Sequence, residues 1–524
     1  MSVTSEIRLF GNWRQRRSPG IPRLGLAGTI TLLGGLTATT LTQLSLGWRT
    51  GLTGLALTIA TTLPLIVKNP SGKNLYQVAG QVIAWRRAQQ KGYHLYRACA
   101  VVDDGTTPLP GVLADTEMLQ LQDSRGNIGG LIHHRGTNTY SVVFGLSLEG
   151  DLLVDPDTVD NWVARWSEFL AALGSEGQLV GASASIDVTP DEGSGLIREV
   201  NRLCTSAAPD LAREMLQEIA STYGKSAPVV RGRVALTFTA ERSAHQDTDR
   251  EWLRTRTAKK AASEPEQRML TSEEIAAEIG ARLPKLRDRL MGTGAAGVRL
   301  LSAQEIAEVV AVAYDPSRGP ALEEALVQRR DSGITWESAG PTEQEESWRH
   351  LRHDSGLSAT WQMTAASPTP VPCTVLRPLL EPSDGVVRKS VTLLYSPFSP
   401  AAAKQVADQH QRVTAMALDR KGTQHAGRQL DAKVAEQTAQ EQAAGAGLLE
   451  FSLLVTATIA SSGNPGDDAE RLRNVATATW QSGDDAGVKL RRVTGAQAWA
   501  FALSLGFLAP HKHLIIPQQF RAAL

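Results

Sequence analysis

Gly224-Lys225-Ser226 has the ending of a phosphate-binding loop, where backbone N–H groups and a lysine converge on phosphate oxygens. The complete pattern needs another glycine five residues earlier, and that position is Ile219. Such a loop also joins a strand to a helix N-terminus. Here a helical pattern precedes the tripeptide and Pro228 follows it, so nucleotide binding is not expected. Gly292, Gly294 and Gly297 match part of a dinucleotide fingerprint but follow a helix rather than a strand. His133-His134 and His511-Lys512-His513 carry imidazoles that could hold a metal. Neighbours on a strand point to opposite faces, which spoils the first pair. The second has no nearby thiolate or carboxylate to complete a tetrahedral set. Asp103-Asp104, Asp467-Asp468 and Asp484-Asp485 lie in turn-like contexts and read as turn and cap residues rather than acid–base pairs. Neither Gly-x-Ser-x-Gly nor His-Glu-x-x-His occurs. Cys99, Cys204 and Cys373 are far apart and odd in number, so they read as small buried residues. The expectation is a chain that is not an enzyme, with no catalytic residues, no cofactor and no metal.

Charge adds little to this. Lys+Arg and Asp+Glu are both 54, so no global field concentrates the chain on an acidic partner. The clusters in 241–290 are mixed in sign and suit a solvated helical surface better than a DNA-tracking stripe. Direct contact with nucleic acid is left open.

The strongest physical signal is apolar. Between Leu24 and Val67 only Arg49 is charged. A bilayer core takes roughly 20 apolar helical residues, so this stretch is long enough for two spans. The reading is a transmembrane hairpin over 22–67, with helices at about 24–44 and 50–67 and a turn through Gly47, Trp48, Arg49, Thr50 and Gly51. Trp48 and Arg49 suit a membrane–water interface. Arg14, Arg16, Arg17 and Arg23 precede the hairpin, and Lys68, Lys73, Arg86 and Arg87 follow it. The excess of positive charge on both flanks predicts a two-pass protein of the bacterial inner membrane with both termini cytoplasmic. Residues 68–92 read as a basic juxtamembrane helix whose apolar face carries Val78, Val82, Ile83 and Trp85. A secretory signal and a hairpin buried in a soluble fold are the competing readings.

The remainder alternates strands and helices. Thr116–Gln122, Ile128–His134, Thr139–Leu148, Gln178–Val188 and Val229–Thr239 read as strands, with helices at Asp155–Leu173 and Ala207–Tyr223. Ser272–Met291 and Ser302–Ala313 read as helices, the latter opened by a Ser302/Glu305 capping box. Loop is expected over 315–345. Strands are expected at His353–Met363, Cys373–Pro378, Val386–Tyr395, Leu449–Ala460 and Val488–Arg492, and a long helical stretch at Ser399–Ala446. The fold class is therefore α+β: a two-helix transmembrane hairpin followed by cytoplasmic α/β sandwich domains with mainly antiparallel sheets. The divisions are a basic N-terminus (1–21), the hairpin (22–67), the juxtamembrane helix (68–92), a first α+β domain (93–240), a helical linker (241–345) and a second α+β domain with the long helix (346–524). The blocks 93–240 and 350–495 share a rhythm of hairpin, long helix, strand, helix, strand, without a residue-level repeat.

Phe10-Gly11-Asn12-Trp13-Arg14, Arg16-Arg17-Ser18-Pro19-Gly20 and Leu24-Gly25-Leu26-Ala27-Gly28-Thr29 resemble the opening of an actinobacterial family encoded in conjugative and type IV secretion-like gene clusters. Leu109-Pro110-Gly111-Val112-Leu113-Ala114, Trp162-Val163-Ala164-Arg165-Trp166 and Leu179-Val180-Gly181-Ala182-Ser183 look like the same family. The resemblance implies a PrgI- or VirB-like hairpin joined to a region similar to the N-terminal, non-ATPase part of a secretion ATPase. It implies a structural subunit whose partners are the bilayer, a separate secretion ATPase and other subunits of an oligomeric DNA-transfer complex. A type VII secretion core component (EccE-like) and a membrane-bound enzyme with a dispersed site are the alternatives.

Overall fold

Hydroxyl-bearing and apolar residues alternate along several strands of this chain, β6 and β14 among them. The computed structural model describes residues 9–10, 25–67, 73–98, 106–148, 150, 154–190, 200, 209–223, 228–241, 269–328, 330–367, 371–398, 403, 408 and 447–508, and all that follows concerns these. The strands are β1 (Leu9–Phe10), β2 (Leu95–Arg97), β3 (Thr116–Gln122), β4 (Ile128–His134), β5 (Thr139–Leu148), β6 (Leu179–Thr189), β7 (Val229–Thr239), β8 (Ala295–Leu300), β9 (Glu343–Glu346), β10 (Leu351–His353), β11 (Gly356–Ala365), β12 (Val371–Pro372), β13 (Arg388–Pro397), β14 (Leu449–Ala460) and β15 (Lys489–Arg492). The helices are α1 (Gly25–Leu46), α2 (Trp48–Ile66), α3 (Leu75–Gln90), α4 (Pro156–Leu173), α5 (Asp210–Tyr223), α6 (Ser272–Leu290), α7 (Ala303–Tyr314), α8 (Gly319–Val327), α9 (Arg377–Leu380), α10 (Pro465–Asp485) and α11 (Gln497–Ser504). Contacts divide the chain into two units; the described part of one is the hairpin with α3, and the other holds every strand.

In the larger unit one antiparallel sheet of 13 strands runs through both α+β blocks, in the order β2-β9-β10-β11-β14-β13-β6-β7-β5-β4-β3. The blocks repeat one topology. In the first, the meander β3-β4-β5 is followed by β6, and β7 inserts between β5 and β6. In the second, β9-β10-β11 is followed by β13, and β14 inserts between β11 and β13. β8 then pairs with β5 as β15 pairs with β11, each preceded by a long helix (α6, α10) and followed by a shorter one (α7, α11).

Details repeat as well. Asn138 and Asp354, the non-glycine residues with positive φ, both sit in the turn before the third strand of their block. Ser141 faces Thr237 with hydroxyls 2.8 Å apart, and Ser358 faces Thr458 at 2.7 Å. The blocks join where β6 pairs antiparallel with β13. Superposing the repeated pairs makes Ser185 and Thr392 equivalent, and these two lie opposite each other at the seam. A pseudo-two-fold axis therefore passes between them. A residue-level echo survives: Ala296-Gly297-Val298-Arg299-Leu300 in one block and Ala486-Gly487-Val488-Lys489-Leu490 in the other.

Three apolar clusters fill the layers. One packs α7 and α11 against the sheet through Val310, Tyr314, Phe501 and Leu503. Another sets Phe169 and Leu173 of α4 and Ile275, Ile279 and Leu283 of α6 beneath Tyr140, Phe144 and Phe238. The third packs Leu472 and Val475 of α10 beside Trp361, Val455 and Ile459. Capping boxes at Thr271/Glu274 and Ser302/Glu305 open α6 and α7, satisfying N–H groups that a helix start leaves unpaired.

The mixed helix and antiparallel strand content agrees with expectation, but the transmembrane part of the fold class does not. α1 and α2 form a hairpin, yet no described helix is long and apolar enough to cross a membrane. The cause is composition. Six threonines, Gln43 and Ser45 lie in α1, and Arg49, five threonines and Pro64 lie in α2. Each hydroxyl or charge offsets much of what a leucine contributes. The two-pass inner-membrane placement is corrected with it. Two smaller expectations also change. Cys373–Pro378 is a turn leading into α9 rather than a strand, and 315–345 contains α8 and most of β9 rather than loop alone. Most of the stretch 399–446 and of 241–268 falls outside the described residues.

At the seam the sheet face beneath α11 is polar. Ser183, Ser185 and Asp187 of β6 share it with Ser390 and Thr392 of β13, all buried. The Ser183 hydroxyl donates to the Gly506 carbonyl at 2.7 Å, and the Thr392 hydroxyl to the Ser504 carbonyl at 2.8 Å. Helix-end carbonyls of α11 are thereby satisfied by strand hydroxyls. Gly506 has φ +74°, and a Cβ there would overlap the Ser185 hydroxyl. Asp187 accepts from Arg233 at 2.7 Å and from Arg388 at 2.9 Å, with all three residues at most 5% exposed. The two guanidiniums outweigh the burial that opposes ionisation and hold the Asp187 carboxyl below the usual range. Asp187→Ala should leave both guanidiniums buried without their anion and cost about 3–5 kcal/mol. Urea unfolding followed by circular dichroism measures this, and an unchanged midpoint would refute the role given to the trio.

Candidate functional site

Two places gather unusual chemistry: the interior around His353, and the outer surface of the hairpin. His353 ends β10 and is fully buried. Its Nδ1 lies 2.5 Å from the Tyr314 carbonyl, which can only accept, so Nδ1 carries the proton. Its Nε2, 2.7 Å from Ser358 Oγ, then accepts from that hydroxyl, and Ser358 in turn lies 2.7 Å from Thr458 Oγ1. A serine donating to an imidazole is the geometry of an activated nucleophile. Here both side chains are at 0% exposure, under Phe501, whose ring centroid is 4.9 Å from that of His353. With no route for a substrate among the described residues, the pair ties the end of α7 to the second block.

The hairpin has the opposite character. Its two helices meet through small and hydroxyl residues. A Cβ on Gly35 would come within 2.5 Å of Thr58 Cγ2, and Thr39 Oγ1 lies 3.3 Å from Thr58 Oγ1. Threonine hydroxyls that face no partner helix bond back to their own turn, as Thr37 does to Gly34 and Thr61 to Leu57. Thr39, Thr58 and Thr62 are buried, while Leu41, Leu44, Leu46 and Leu57 are 70%, 91%, 71% and 68% exposed. Three threonines thus pack between the helices, others such as Thr37 and Thr61 are exposed, and these leucines lie on the outside. α3 adds to this unit through Tyr76, whose hydroxyl donates to the Thr61 carbonyl at 3.2 Å.

The residues expected to set topology scatter over this unit. Arg14, Arg16, Arg17, Arg23 and Lys68 lie outside the described residues. Trp48 opens α2, 66% exposed, with the Arg49 guanidinium 5.9 Å from its ring centroid. Lys73 is largely buried and donates to Gln81 at 2.9 Å. Arg86 and Arg87 are exposed on α3, where Val78, Val82 and Trp85 are half-buried and Ile83 is exposed.

The decoys resolve into packing. His133 and His134 point to opposite faces: His133 reaches Glu117 at 2.7 Å, and His134 reaches the Thr137 hydroxyl at 3.0 Å. Among the described residues no group of three or more His, Cys, Asp or Glu could hold a metal. Gly292 and Gly294 turn the chain from α6 into β8 against Arg165 and Trp162. Asp468 accepts from the Ser462 N–H and the Ser461 and Ser462 hydroxyls, closing the loop before α10. Asp103, Asp104, Gly224–Ser226, Cys99, Cys204, His511 and His513 fall outside the described residues. Sequence reasoning missed the Asp187, Arg233 and Arg388 trio and His353. The available signal was period-two spacing, which puts Asp187 in line with Ser183 and Ser185 on one strand face.

Burial holds the His353 imidazole at a pKa of about 4, overcoming the Tyr314 carbonyl that pulls the other way. The folded protein thus favours the neutral ring. Its contribution is complete above the unfolded value near 6.5 and is lost as pH falls toward 4. Unfolding free energy should decline by an amount on the order of 3 kcal/mol across that window. His353→Asn should abolish this part of the acid limb, and a variant with an identical pH profile would contradict the assignment.

Comparison with known families touches only the hairpin unit. A family model described as a domain of unknown function (DUF8461) matches residues 17–77, well under half of the chain. No curated protein matches the chain.

Proposed function

We propose that this protein is a non-catalytic structural subunit of a conjugative or type IV-like secretion complex, and that its hairpin docks a separate secretion ATPase or a neighbouring subunit. The observation that carries the reading is the set of exposed leucines on the hairpin, Leu41, Leu44, Leu46 and Leu57. Water-exposed leucines gain about 25 cal/mol for each Å² that a partner covers, and large apolar patches mark interaction surfaces. The larger unit supports a scaffold role: its charged and hydroxyl groups tie layers together inside the sheet instead of converging on an open cleft. The resemblance of the Phe10–Thr29 motifs to conjugation-associated proteins supplies the kind of assembly. The second reading is a type VII secretion core component, whose hairpin would play the same docking part.

Affinity capture of the tagged full chain from its native cells, with mass spectrometry, tests this. Recovery of a conjugation-type ATPase and coupling protein supports the first reading, and type VII core subunits support the second. Leu41→Ser with Leu44→Ser should reduce recovery of either at least tenfold, about 1.4 kcal/mol or more of binding, while leaving the unfolding midpoint of the sheet unit unchanged. Undiminished capture by that variant would remove the hairpin from the proposal.

A further inference from the structure

The pseudo-two-fold axis makes the two ends of the seam comparable residue by residue. The superposition that equates Ser185 with Thr392 also sets Asp187 on Leu394, Arg233 on Leu454 and Arg388 on Gly181. At one end, therefore, the fold uses Leu394 and Leu454, both buried in the apolar cluster beneath α7 and α11. At the other it uses three charged side chains that are just as deeply buried. A buried ion pair is commonly no more stabilising than apolar residues of similar volume. The topology is thus satisfied without charge, and the trio calls for a reason beyond packing.

The charges of the trio do not balance. Among the described residues Asp187 is the carboxylate that pairs with either guanidinium, so two buried cations share one anion. Both arginines reach it through Nη2. Arg233 Nη2 also lies 3.4 Å from the Leu505 carbonyl, and the carbonyl end of α11 offsets part of the excess. Two donors are left over. Arg388 Nη1 and Arg233 Nε are buried and have no hydrogen-bond partner among the described residues. A buried N–H without an acceptor costs its full desolvation, and a buried charge without a counter-charge costs more. Orphaned donors on two guanidiniums, in surroundings of net positive charge, mark the place of an acceptor that carries negative charge.

We propose that this end of the seam binds a small monovalent anion of the chloride class on the guanidiniums of Arg233 and Arg388, with Nε and Nη1 as its donors. The anion brings the count to two cations and two negative charges, and it gives both orphaned groups an acceptor. It must be small, because a phosphate or an organic carboxylate needs an opening that arginines at 4% exposure do not offer. A water molecule would accept from the N–H groups but leave the charge as it stands. The site is complete only when β6 meets β13, so the ion enters as the blocks join and its binding adds to the folding equilibrium. The inference is independent of which partner the hairpin docks.

Urea unfolding of the full chain, with sodium chloride replacing sodium gluconate at constant ionic strength, tests this. Gluconate is too large for a closed site. Above the dissociation constant of the ion, each tenfold rise in chloride should multiply the folding equilibrium constant by about ten. Arg233→Leu installs the residue of the equivalent position and leaves Asp187 paired one to one with Arg388, so its midpoint should be the same in both salts. An unaltered chain with the same midpoint in both salts overturns the proposal, and so does an Arg233→Leu chain that keeps the full chloride dependence. Crystals of the unaltered chain grown in bromide decide without any variant. An anomalous peak beside Arg233 and Arg388 supports the site, and its absence there overturns it.

Discussion

The antiparallel pairing of β6 with β13 is the constraint on which this architecture rests. Without it the chain is two six-stranded α+β blocks, the second extended by β2, each with an open edge. With it the blocks share one sheet and one apolar layer beneath α7 and α11. A seam of valines and leucines would tolerate slippage by two residues, since every register buries similar surface. The seam here is lined by Ser183, Ser185, Ser390 and Thr392, each matched to a partner, and closed at one end by Asp187 between two arginines. A buried ion pair adds little net stability against an apolar substitute, but a misplaced one is costly. The trio is therefore read best as a register lock. α11 completes it, because its terminal carbonyls find their hydrogen bonds only when both strands are in place.

Much of the fold was legible in the sequence where period and punctuation agree. Thr116–Gln122, Ile128–His134, Thr139–Leu148, Val229–Thr239 and Leu449–Ala460 were readable to the residue, because short runs rich in apolar and hydroxyl residues lie between turn residues. β9 was not, since Glu-Gln-Glu-Glu has no strand propensity and is held by neighbours on both sides. α8 was hidden by the Gly-Pro at its start. The duplication was visible as rhythm, but its residue-level trace had shrunk to Ala-Gly-Val-Arg-Leu and Ala-Gly-Val-Lys-Leu. Of the site chemistry, the dismissal of His133-His134 followed from strand geometry alone. The seam trio comes from three strands far apart in sequence, and nothing local links Asp187 to Arg388. The hairpin shows the reverse problem. Its boundaries could be read, but the weight given to length understated what eleven threonines subtract from the two helices.

The hairpin and the sheet unit divide the physical labour. In the sheet unit the seam hydroxyls and the Asp187 carboxylate are inside and bonded to partners, and they favour one arrangement of the layers. In the hairpin, Thr39, Thr58 and Thr62 are buried while Leu41, Leu44, Leu46 and Leu57 are exposed.

The insertion of β7 between β5 and β6, and of β14 between β11 and β13, also fixes a timetable. β6 ends at Thr189 and its seam partner does not begin until Arg388. At synthesis rates of about 5–20 residues per second, the seam edge of β6 waits roughly 10–40 s on the ribosome for β13. During that interval the nascent first block exposes a long strand edge, the state most open to pairing with the wrong chain. What that edge shows on one face is serine, serine and aspartate. The residues that later lock the register are thus also the ones that keep the unfinished protein from adhering to its neighbours.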